Sequence, residues 1–139
     1  MIFNQLFDIK SSTYTYIIAS AKGREAMIID PVIENVGEYI KLLKELNLKL
    51  VKVIDTHIHA DHVTSASALR EITNCKVAGP ANDNLKCRDI NFKDKDSLTL
   101  GASLEIKAFH TPEHTDTHFS YVIEYNDRNI LFSGDALLI

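Results

Sequence analysis

Apolar and polar positions first fall into register at Thr13-Tyr14-Thr15-Tyr16-Ile17-Ile18-Ala19, an alternating run rich in β-branched and aromatic residues. Such residues suit a pleated, half-buried surface, so the run predicts a strand. Ala26-Met27-Ile28-Ile29 follows Lys22-Gly23-Arg24 as the returning arm of a hairpin, and Asp30-Pro31 closes it because proline cannot donate to a sheet ladder. Asp30 is accordingly read as a turn residue rather than a ligand. The period then changes. Val36, Ile40, Leu43 and Leu46 share one helical face, with Asn35 as N-cap and Glu38 three residues on, as in a capping box. Leu50 to Ile54 predicts a strand and Thr64 to Thr73 a second helix, with Ala66, Leu69 and Ile72 or Thr73 facing inward. Lys76-Val77-Ala78 predicts a short strand, and Pro80 to Lys95 reads as loop and short turns. Strands are expected over Ser103–Phe109, Phe119–Tyr125 and Asn129–Ser133, the last two joined by a turn at Asn126-Asp127-Arg128. Strands interleaved with helices and then followed by more strands describe a layered α/β domain.

Composition narrows the function classes. A length of 139 residues accommodates one domain, 1–139, around one core. The net charge is −4 and Lys and Arg form no stripe, so a nucleic-acid partner has no electrostatic footprint. No apolar run approaches the roughly 20 residues that would span a bilayer, so no membrane association is expected. The opening MIFNQLFDIK lacks the charged start, apolar centre and cleavage site of a secretion signal. Together with Cys75 and Cys87, two cysteines without CxxC spacing that read as reduced thiols, this leads us to expect a cytoplasmic protein.

The chemistry concentrates in Asp55-Thr56-His57-Ile58-His59-Ala60-Asp61-His62, directly after a strand. In extended chain, His57, His59 and Asp61 fall on one side, with His62 beside them at the entry to a helix. Imidazoles and a carboxylate offered from a rigid strand end suit a first-row transition metal. Left unpaired in a core they would be costly, so the run has no purely structural rationale. His114, in Thr111-Pro112-Glu113-His114-Thr115, and Asp135, in Ser133-Gly134-Asp135, each stand just past another strand, where open α/β sheets place their sites. His110 and His118 lie outside the cluster and read as turn or packing residues. Glu113 reads as a surface charge or a neighbour of the ligands.

The run Thr56-His57-Ile58-His59-Ala60-Asp61-His62 resembles the signature of the metallo-β-lactamase superfamily. Within it the chain resembles the persulfide dioxygenases, through Ser12 to Tyr16, Arg24 to Val32, the segment around His114, and Ser133-Gly134-Asp135-Ala136-Leu137-Leu138-Ile139. The resemblance runs from about Phe7 to Ile139. It implies a metallo-β-lactamase-type αββα sandwich, truncated to about its N-terminal half, and one iron(II) per chain bound by His57, His114 and Asp135. That facial triad leaves positions open for O2 and for glutathione persulfide, which the family oxidises to sulfite and glutathione. His59, Asp61 and His62 are then groups that orient the ligands, or a second metal position. Two departures stand out: Glu113 where the family usually has Gly, and Asp116-Thr117 where it often has Pro-Gly.

Two other functions fit the same residues. A dinuclear Zn(2+) hydrolase of a glutathione thioester, like glyoxalase II, would use His57, His59 and His114 at one metal, Asp61 and His62 at the other, and Asp135 as bridge. A catalytically silent metal-binding domain would use the ligands alone. The abrupt apolar ending, Leu137-Leu138-Ile139, reads as a cut through a core, and self-association through an exposed sheet face is expected from it.

Overall fold

The computed structural model describes residues 1–21, 24–56, 62–81, 88–100, 104–111, 118–125, 128–133 and 137–138. Within them one six-stranded sheet runs β1 (Ile2–Asp8), β2 (Thr13–Ala19), β3 (Glu25–Ile29), β4 (Lys49–Ile54), β5 (Lys76–Pro80) and β6 (Ile90–Phe92), in that spatial order. β1, β2 and β3 pair antiparallel, whereas β3 to β6 pair parallel. Parallel neighbours need a crossover. Helix α1 (Val36–Glu45) supplies it between β3 and β4, and α2 (His62–Thr73) between β4 and β5. The second sheet is antiparallel, in the order β11 (Leu137–Leu138), β10 (Arg128–Phe132), β9 (Phe119–Tyr125), β8 (Leu104–His110) and β7 (Ser97–Leu100).

Two apolar layers hold these elements. Ile18, Met27 and Ile29 face Ile106, Ala108, Tyr121, Ile123 and Phe132 across the gap between the sheets. On the other face of the first sheet, Ile17, Ile28 and Val53 pack with Tyr39, Leu43 and Leu69 of the helices. Neighbours Ile17 and Ile18 are both fully buried but serve opposite layers. A strand covered on both faces loses the polar half of its alternation: β3 is a nearly continuous apolar run, and β2, expected to be half-buried from its alternation, is buried almost throughout and continuously apolar from Ile17. Each fully buried isoleucine contributes about 1.5–3 kcal/mol relative to exposure. No helix among the described residues is long and apolar enough to cross a membrane.

The helices and the hairpin follow the pattern in the sequence, with corrections, among them β7 (Ser97–Leu100), a strand that was not expected. β1 forms as an edge strand, paired with β2 from Ile2↔Ala19 to Asp8↔Thr13, where no strand was expected. The stretch 80–95, expected to be loop, contains β6, whose Phe92 is buried between the sheets. Asn35 makes no side-chain cap: a 3-10 turn, Ile33–Asn35, precedes α1, and the Asn35 amide donates instead to Asp8 Oδ1 at 3.1 Å. Of the two alternatives at the end of α2, Ile72 is 59% exposed, whereas Thr73 is half-buried and its hydroxyl donates to the Leu69 carbonyl at 2.7 Å.

Candidate metal centre

Strand β4 ends at Ile54, and the chain continues through Asp55 and Thr56 into the His57–Asp61 run. Two contacts carry this strand end onto the second sheet. The Phe119 amide donates to the Thr56 carbonyl at 2.8 Å, and the buried Tyr121 hydroxyl donates to the Asp55 carbonyl at 2.6 Å. Phe119 and Tyr121 lie at the start of β9, where His110 of β8 pairs with Phe119 and Phe132 of β10 pairs with Tyr121. The C-terminal ends of β4, β8 and β10 therefore share one rim. Thr111 and His118, which flank 112–117, are joined by a Thr111 N–H bond to the His118 carbonyl at 2.9 Å. Ser133, at the foot of 134–136, follows β10 on the same rim.

His57, His59, Asp61, His114 and Asp135 lie outside the described residues, as do Glu113 and Cys87; His62 opens α2 with its backbone, and its side chain lies outside them too. Among the described residues no group of three or more His, Cys, Asp or Glu side chains could hold a metal ion. What is brought together is the set of strand ends from which the segments carrying the expected ligands His57, His114 and Asp135 leave. The donor chemistry of those segments, imidazole and carboxylate, fits a transition metal.

Below the rim sits a buried polar layer that sequence reasoning did not find. Asp30 is 1% exposed, with φ 53°, a left-handed conformation that Asp tolerates better than most residues. Its turn role holds, and the turn aims its carboxylate at Thr56: Oδ1 accepts from the Thr56 amide at 2.9 Å and Oδ2 from the Thr56 hydroxyl at 2.7 Å. Burial, and next the charge of Asp55, push the Asp30 carboxyl up to about 8, against the pull of the Thr56 bonds and Arg88. The turn is itself held. The Thr15 hydroxyl donates to the Asp30 carbonyl at 2.7 Å, so its contact with the Tyr39 hydroxyl at 3.2 Å must have Tyr39 as donor. Ser65 of α2 donates to the Pro31 carbonyl at 3.0 Å.

Asp55 has its own partner. Arg88 Nη2 lies 3.3 Å from Asp55 Oδ2, and Arg88 Nη1 donates to the Pro80 carbonyl at 3.0 Å. Hence both residues between β4 and His57 are clasped from below, Thr56 by Asp30 and Asp55 by Arg88. His118 is buried at the start of β9, in keeping with a packing role, and the exposed His110 stacks on Phe119 with ring centroids 5.5 Å apart. Cys75 is a buried free thiol, raised above its ordinary pKa by burial.

Comparison with known proteins agrees with this geometry. Residues 9–139 match the profile described as the metallo-beta-lactamase superfamily. The chain is 38% identical over 141 residues to the mouse mitochondrial persulfide dioxygenase ETHE1, covering 100% of this chain and 54% of that protein. To the hydroxyacylglutathione hydrolase of Pseudomonas aeruginosa it is 33% identical over 128 residues, covering 91% of this chain and 48% of that one. The crystal structure of ETHE1 from Myxococcus xanthus superposes with a TM-score of 0.86 at 45% identity, covering 100% of this chain and 59% of the other. The chain thus spans about half the length of the curated relatives it matches.

Proposed function

The chain belongs to the metallo-beta-lactamase superfamily, and from that premise we propose that it carries the metal centre of a non-haem iron dioxygenase acting on glutathione persulfide and O2. His57, His114 and Asp135 hold one iron(II), and His59, Asp61 and His62 orient those ligands rather than fill a second site. The observation that supports this reading is the shared rim: the Thr56–Phe119 bond and the β8–β9–β10 pairing bring the roots of all three ligand-bearing segments to one edge. Its likeness to the mouse persulfide dioxygenase supports a persulfide substrate over other superfamily chemistries.

An iron held there would supply the redox chemistry by which glutathione persulfide, O2 and water become glutathione and sulfite. The protein's part is positional. Asp30 and Thr56 fix the strand end that delivers His57, and β9 fixes the Thr111–His118 closure that bounds the His114 segment. A cytoplasmic setting and thiol-state cysteines belong to the proposal. So does self-association through the outer face of the second sheet, where half-buried Val122 and Leu131 pair beside exposed Lys107. Light scattering that finds only monomer removes that last element.

The likeness to hydroxyacylglutathione hydrolase, with His59, Asp61 and His62 as spare donors, favours a second reading, a dinuclear zinc hydrolase. O2 consumption with glutathione persulfide tests the first. Uptake is expected from the iron-loaded protein and not after His57→Ala or Asp135→Ala, while His118→Ala keeps its metal. Thioester hydrolysis in place of O2 uptake supports the zinc enzyme, and metal without either activity supports the silent metal-binding domain.

A further inference from the structure

The polar layer beneath the rim contains a charge pair that stability alone does not explain. Arg88 and Asp55 have side chains only 1% and 3% exposed. Withdrawing both charges from water is expensive, and apolar residues of similar volume usually serve a core as well or better. The site is nevertheless shaped for the pair. An added Cβ on Gly79, in β5, would fall on the Arg88 guanidinium, 2.5 Å from Nε and 2.7 Å from Nη2. Glycine leaves room for the guanidinium where it donates to the Pro80 carbonyl and reaches Asp55, and any Cβ there would force it to shift.

Asp55 is a relay rather than an end point. Its amide donates to the Ala78 carbonyl at 3.0 Å and its carbonyl accepts from Tyr121, so its backbone is tied to both sheets. Its side chain is the remaining degree of freedom, and Arg88 takes it. Two residues separate Ile54, the last residue of β4, from His57, and Asp55 is the first of them. A shift there turns the strand end and with it the direction in which the ligand run leaves.

We infer that Arg88 is a positioning residue for the metal centre, acting through Asp55 on the backbone that delivers His57, with Gly79 as the residue that admits it. The inference rests on the proposed function in one respect, that His57 is a metal ligand. Residues that hold ligands in place typically change metal affinity by about 10–100-fold when replaced.

The test is a Co(2+) titration of the full chain, read by its visible d–d absorption and by competition with a chelator, with circular dichroism confirming the fold. Arg88→Met alone takes the counter-charge from a buried carboxylate, so the working variant is the double replacement Asp55→Asn/Arg88→Met, which removes both charges. It is expected to fold and to bind Co(2+) about tenfold or more weakly, with an altered absorption band. Gly79→Ala is expected to weaken binding in the native background and to change nothing further in the double variant, whereas Arg70→Ala leaves binding as it was. A folded double variant with native affinity and an unaltered band overturns the inference. If that variant does not fold, Gly79→Ala decides, native affinity again being the overturning result. Failure of the unaltered chain to bind Co(2+) removes the metal reading first and the inference with it; native binding with unchanged variants removes the inference alone.

Discussion

Arg88–Asp55 and Arg70–Asp89 both touch strand β5, the first at 3.3 Å with side chains 1% and 3% exposed, the second at 2.9 Å with side chains 32% and 37% exposed. The shorter pair is the one expected to cost less when broken. In water-facing surroundings the Coulomb gain is screened and the side-chain entropy cost remains, leaving about 0–1 kcal/mol. In the buried pair each charge depends on the other, because water is not there to replace it. Proximity therefore ranks these pairs in the wrong order; solvation ranks them correctly. The buried pair holds Asp55, just past the end of β4, while Asp89 accepts from the Val77 amide and from Arg70.

The largest effect that sharpens this contrast is expected from Arg88→Met. With the Arg88 charge removed from a buried Asp55 carboxylate, urea unfolding should show a loss of about 3–5 kcal/mol, and adding Asp55→Asn should recover most of it. A loss below 1 kcal/mol for the single variant would place the pair with the surface class.

A second contrast is one of sign. Asp30 has its carboxyl raised from 3.8 to about 8 by burial and by Asp55. Its contribution to stability is thus fully present below the unfolded value and lost as pH rises through about 8, since the folded state binds the proton more tightly. Asp89 is lowered, first by the Val77 amide, despite some burial and with help from Arg70. Its contribution is present above 3.8 and lost as pH falls through its folded value. Stability measured against pH should accordingly fall across the neutral range, and Asp30→Asn, whose amide can still meet both Thr56 groups, should flatten that fall. An unchanged slope in Asp30→Asn would mean that the proton is bound elsewhere.

The smallest effect belongs to Arg70→Ala. It should cost less than about 1 kcal/mol, and less again in high salt. Equal losses for Arg70→Ala and Arg88→Met would end the comparison.

The sequence made the proposed ligands legible and left the contacts around their strand ends hidden, for a physical reason. His57, His59, Asp61 and His62 stand within one short run, and strand ends can be read from local alternation. Those contacts join residues far apart: Asp30 to Thr56 across 26 positions and Arg88 to Asp55 across 33. No local period announces such a pair. Arg88 looked like one more charge in a polar loop, and the slot at Gly79 depends on how β5 pairs with β6. The same holds for β6 itself, three residues long and stabilised by a parallel neighbour rather than by its own pattern. Asp30 was legible as a turn before Pro31, yet its carboxylate's target was not. β1 escaped because, as an edge strand, it is half-buried and interspersed with polar residues. Tyr39, fully buried through its bond to Val32 N–H at 3.0 Å, belongs to the inner face of α1 although its phenol did not mark it so.

The central claim is that His57, His114 and Asp135 hold one iron and that the second position stays empty. Elemental analysis of the protein expressed in iron-supplemented, zinc-poor medium tests this most directly. The account predicts close to one iron per chain, lost in His57→Ala and in Asp135→Ala. Two equivalents of zinc under those conditions would contradict it and favour the dinuclear hydrolase.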